Sequence, residues 1–99
     1  MVGNGTPQLR RIYELLQKHD PYPAEATDAV QEAWMDLAEL DSTIAGHVAS
    51  VLGGERVGAI DIRNCRSALE GNRDWERYWP TRYGILLEAC DALEAVVGE

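Results

Sequence analysis

Lysine is almost missing from this chain of 99 residues. Lys18 is its single example against eight arginines, and phenylalanine is absent altogether. Nine cationic side chains face 17 carboxylates, for a net charge of −8. Such a chain repels a phosphate backbone at long range, which sets general nucleic-acid binding aside. The arginines that stand in for lysine supply fork-shaped donors able to grip carboxylates. Cysteine is scarce as well. Cys65 and Cys90 form no CxxC pair and fall on separate predicted helices, so two buried free thiols are expected. No apolar run approaches the roughly 20 residues that span a bilayer. Met1 to Thr6 carries neither the basic nor the apolar region of a secretion signal, which makes the cytoplasm the default expectation. There is no glycine-rich phosphate loop, no serine in a nucleophile elbow and no local signature around either cysteine. Nucleophilic catalysis is left without support.

Strand patterns are equally sparse. Only Val57 to Ile62 has a β-branched flavour, and Gly58 dilutes it. Helical patterns fill the rest. Thr6 is a good cap with Pro7 behind it, and Leu9, Ile12, Tyr13 and Leu16 share one face until Asp20-Pro-Tyr-Pro23 stops the helix. A second helix is predicted from Pro23 or Ala24. Its seam of Ala26, Val30, Ala33, Leu37, Leu40, Ile44, Val48 and Val51 alternates steps of three and four, and Gly53-Gly54 ends it. A third is predicted from near Asp61 with Ile62, Cys65 and Leu69 inward, breaking at Gly71-Asn72. Asp74-Trp75 restarts a short turn that Pro80 closes. Thr81 then caps a last helix with Tyr83, Leu86, Leu87, Cys90, Leu93 and Val97 inward, ended by Gly98.

Uninterrupted, residues 24–52 would measure about 43 Å. A compact domain of this size has a radius of gyration near 12–13 Å and so a diameter of roughly 33 Å. The second helix is therefore expected to kink or to have its end covered by another subunit. Asp41-Ser-Thr43 and Gly46 mark where the bend would fall. Proline is absent between residues 24 and 79, which favours one bent helix over two.

Charge is distributed unevenly. Asp20 to Gly54 holds seven carboxylates and no Lys or Arg, whereas Arg56 to Arg82 holds six of the eight arginines. Glu25, Asp28, Glu32, Asp36 and Glu39 fall opposite the apolar seam, and like charges four apart oppose the helix. Arginines of the third helix, a basic partner or a divalent cation would each offset that repulsion, and a merely solvated face is the plain alternative. Asp36-Leu-Ala-Glu39 and Glu88-Ala-Cys-Asp91 are acid-x-x-acid pairs. In spacing alone they resemble the pairs with which all-helical nucleotide pyrophosphohydrolases hold Mg²⁺ against a pyrophosphate. The stretch Arg73 to Tyr83 gathers four of seven aromatics and three arginines within eleven residues, the residue types that dominate binding hot spots. Closure of the core by these tryptophans is the competing reading. A helix continuous through Gly71 would also line up Arg63, Arg66, Arg73 and Arg77. Asp41 and His47 lie on the apolar side of the second helix, where a buried aspartate asks for a donor, most naturally an arginine of the third helix.

The expected fold is all-α: a four-helix antiparallel bundle with one long, kinked second helix, in a single domain over residues 6–99 behind a flexible tail over 1–5. The leading function is a non-enzymatic protein-interaction module, a regulator, inhibitor or adaptor. Trp75, Arg77, Tyr78 and Trp79 would anchor the partner, and Glu25, Asp28, Glu32, Asp36 and Glu39 would steer a basic one. A homodimer is expected, because the long helix and the arginine-aromatic segment ask for more cover than one subunit gives. Two other readings stand: a Mg²⁺-dependent phosphohydrolase-like enzyme with Asp36, Glu39, Glu88 and Asp91 as ligands, and a purely structural homo-oligomeric subunit. No cofactor or membrane is called for.

Overall fold

Local punctuation in the chain accounts for most helix boundaries in the computed structural model, which describes residues 6–18 and 27–97. The described residues form five helices: α1 (Thr6–Gln17), α2 (Asp28–Leu52), α3 (Ala59–Glu70), α4 (Arg73–Tyr78) and α5 (Pro80–Val97). The expected tail over 1–5, the stop at Asp20 to Pro23, Glu25, Ala26 and the Gly98 terminator lie outside the described residues.

α2 begins four residues later than the proline pattern suggests. Thr27 is its cap, and the Thr27 hydroxyl oxygen accepts from the Val30 N–H at 3.4 Å. At the other end the Gly53 N–H donates to Ala49 O at 2.9 Å and Glu55 N–H to Ser50 O at 2.8 Å, closing carbonyls that the helix leaves open. Gly54 follows at φ 85°, a conformation that costs any other L-residue energy. α3 starts at Ala59 rather than near Asp61. Asp61 falls instead in its first turn, where a carboxylate favours the positive end of the helix dipole. The turn expected near Asp74 is a complete short helix, α4. Asn72 caps it by accepting from the Asp74 N–H at 3.2 Å. Pro80 is then the first residue of α5, so Thr81 is not its cap. Proline suits that position because the missing N–H would have had no partner there.

The expected kink is not needed. α2 is a single helical element of 25 residues, about 37 Å long. The molecule is elongated to match it, 47 × 24 × 17 Å with a radius of gyration of 13.7 Å. Sphericity was the faulty premise, and with it goes the argument that a second subunit must cover the end of this helix.

The predicted faces do turn inward. Leu9, Ile12 and Leu16 of α1, Leu37, Ile44 and Val48 of α2, Ile62, Cys65 and Leu69 of α3, and Tyr83, Leu86, Cys90 and Leu93 of α5 form one buried cluster. Ala89 and Ala92 join it, as does Trp75 from α4. Each large apolar side chain in such a core contributes about 1.5–3 kcal/mol. α1 and α5 are further tied by a charge. Arg82, 3% exposed, donates to Leu16 O at 3.3 Å and to Lys18 O, and meets Asp41 of α2 at 3.3 Å. One guanidinium thus satisfies carbonyls at the end of α1 and the half-buried carboxylate of α2. The donor for Asp41 comes from α5, not from α3 as expected.

Candidate interaction site

Two stretches singled out in the sequence flank the amino-terminal half of α2. On the outward side of that helix Asp28, Glu32, Asp36 and Glu39 are all exposed. None of the four side chains has an ion-pair or hydrogen-bond partner among the described residues. Asp28, Glu32 and Asp36 repeat every fourth residue, and each like-charged pair disfavours the helix by about 0.2–0.5 kcal/mol. Met35 stands within this acidic ridge, 67% exposed, the most exposed large apolar side chain of the described residues.

Against the same stretch of α2 lies α4. The Trp75 indole N–H donates to Ala33 O at 3.1 Å, and the residue is only 5% exposed, so Trp75 closes the core. Trp79, half-buried, packs a tilted ring on Trp34 of α2 with centroids 5.2 Å apart, and Tyr78 on Trp79 at 5.6 Å. Tyr78 is exposed, and the Arg77 guanidinium lies 5.7 Å from its ring centroid. An open groove of about 280 Å³ separates the ridge from α3 and α4, with Asp36 and Glu39 on one side, Ala68 and Trp75 on the other, and Leu40 and Thr43 between. The structure therefore sets Trp79 against Trp34, about 200° around α2 from Glu32 and Asp36, and brings only Trp75 to the groove beside Asp36 and Glu39, its indole otherwise withdrawn into the interior.

The continuous arginine stripe does not form, because α3 ends at Glu70 and Gly71 separates it from α4. Nor does α3 neutralise the ridge. Arg66 turns the other way, to α5, donating from Nε to Glu94 Oε1 at 2.6 Å and from a terminal nitrogen to Asp91. The hydrogen bonds to Glu94 and Asp91 hold the guanidinium charged above its ordinary range. Asp91 is thereby engaged, and among the described residues no three His, Cys, Asp or Glu side chains gather as a metal site would require. The four carboxylates Asp36, Glu39, Glu88 and Asp91 do not converge, which leaves the metal-enzyme reading without its geometry.

His47 is half-buried on α2 and outside the core cluster. Cys65 and Cys90 are buried free thiols, as the spacing predicts. Burial, followed by the influence of Cys65, pushes the Cys90 thiol up to about 12, and burial followed by Asp61 raises Cys65. Both are neutral and poorly nucleophilic near pH 7. Trp34, Met35 and Arg82 are the residues that periodicity passed over. Trp34 flanks the three-four seam next to Ala33, and Arg82 stands four residues before Leu86 on the buried stripe of α5, a position where a cation signals a buried carboxylate across the interface. Compared with protein-family models, curated proteins and solved structures, the chain matches none.

Proposed function

We propose that this chain is a non-enzymatic protein-interaction module, a small regulator, inhibitor or adaptor that takes a basic partner on the amino-terminal half of α2. The scaffold reads as a four-helix antiparallel bundle with α4 as a short clamp, and the working form as a homodimer. One observation carries the reading: four carboxylates without ion-pair or hydrogen-bond partners among the described residues stand beside the exposed Met35. Carboxylates steer a cationic surface and fix its register, while an exposed flexible thioether offers an adaptable apolar contact. Tyr78, Trp79 and Arg77, on the other flank of α2 where Trp79 meets Trp34, offer rigid aromatic area and a fork-shaped donor.

The test is calorimetric titration with an arginine-rich amphipathic helical peptide as probe. The expected result is binding that weakens as salt rises, is abolished by Asp36→Lys combined with Glu32→Lys, and is weakened by Met35→Ser. Failure to bind at low salt, or binding indifferent to the charge reversal, removes the proposal.

A further inference from the structure

The opposite end of α2 carries a second exposed apolar surface of different character. There the end of α2, the loop after it and the end of α5 enclose an open notch of about 370 Å³, lined by Val51, Val57, Val96, Val97, Glu55 and Arg56. Ile60, three residues beyond Val57 in the first turn of α3, projects 61% exposed, and Val96 is exposed too. A hole and a knob thus stand at the same end of one molecule. Around them the charges are mixed: Glu55 and Asp61 against Arg56 and Arg63, all exposed. Among the described residues none of these four side chains has an ion-pair or hydrogen-bond partner.

We propose that this end binds a second copy of the chain, each copy's Ile60 seated in the other's Val51–Val57–Val96–Val97 notch. A two-fold interface is self-complementary, so it needs apolar knob and hole on the same patch and charges of both signs that exchange across the axis. This end meets both conditions. The acidic ridge fails the second, since two anionic surfaces brought together repel by several kcal/mol. Met35 and Val51 are 16 residues apart on one helix, about 24 Å, so a dimer formed here leaves the ridge open to a basic partner. The proposal rests on the reading of the chain as a homodimeric module and gives that dimer its face.

Sedimentation velocity of the full chain from about 5 to about 500 µM tests it. The expected result is a monomer–dimer equilibrium. Ile60→Asp and Val96→Asp should each raise its dissociation constant about tenfold or more, whereas Met35→Ser leaves it unchanged. Hydrogen exchange on the unaltered chain supplies a readout free of folding effects: raising the concentration should protect amides over residues 55–60 and 94–97. A monomer throughout, a dimer indifferent to both substitutions, or protection gathered over residues 28–39 instead would each defeat the assignment. Peptide binding by the Ile60→Asp variant keeps the two readings apart, because it persists if only the dimer face is wrong and is absent if the ridge has no such role.

Discussion

α2 and α5 both carry a pair of carboxylates three residues apart on an exposed face, and the two pairs have opposite fates. Asp91 and Glu94 of α5 sit across from Arg66 and are clasped by it. Asp36 and Glu39 of α2 border a groove whose far wall is Ala68 and Trp75, with no cation in it. Sequence spacing is the same in both cases, so spacing does not make a site. The side chain that the fold places opposite decides whether an acidic pair is internal structure or is left facing outward.

The largest way to disturb this contrast is to remove the most buried cation. Arg82→Met strips Asp41 of its partner and reopens the carbonyls of Leu16 and Lys18, with an expected loss of about 3–5 kcal/mol by urea denaturation. An unchanged midpoint would show that the buried pair contributes little. Next comes the alkaline limb. The Cys90 thiol titrates near 9 when unfolded and near 12 when folded. Its contribution is therefore complete below about pH 9 and is lost as pH rises toward 12, at up to about 1.4 kcal/mol per pH unit. Cys90→Ala should flatten the fall in stability between those limits, and a slope identical to that of the native chain would contradict this.

Smaller effects separate the two acidic pairs directly. Arg66→Gln should destabilise by about 0.2–1 kcal/mol, since Asp91 and Glu94 are largely exposed. Glu32→Gln should instead stabilise by about 0.4–1 kcal/mol, relieving its two like-charged pairs with Asp28 and Asp36 on α2. If both substitutions shift the melting temperature in the same direction, the ridge is not the uncompensated one. The smallest expected effect is that of Mg²⁺, which at millimolar levels should leave the melting temperature unmoved. A rise abolished by Asp36→Asn would restore the metal-enzyme reading.

Much of the helical layout was legible because core-facing positions recur at fixed steps. Ile12, Leu37, Ile44, Leu69 and Leu93 all turn inward where periodicity puts them. Periodicity describes one helix at a time, however. It could not tell that the donor for Asp41 would arrive from α5, nor that Arg66 would look away from α2. The helix end at Gly53-Gly54 was readable because glycine tolerates what other residues do not. The start at Thr27 was missed because Pro23 offers an equally good first position. The kink was expected from a spherical volume, and an elongated molecule dissolves the conflict. As for the site, the acidic ridge was visible and the aromatic cluster half visible. Trp34, which receives Trp79, carries no charge and breaks no pattern.

The Arg82 clasp also says how this molecule comes apart. α1 cannot peel away as an independent unit, because its departure strips the guanidinium of the Leu16 and Lys18 carbonyls and floods the Asp41 pair with solvent. Release of the carboxyl-terminal end of the first helix should therefore loosen the second against the fifth, and amide protons near Leu16, Asp41 and Arg82 should exchange together.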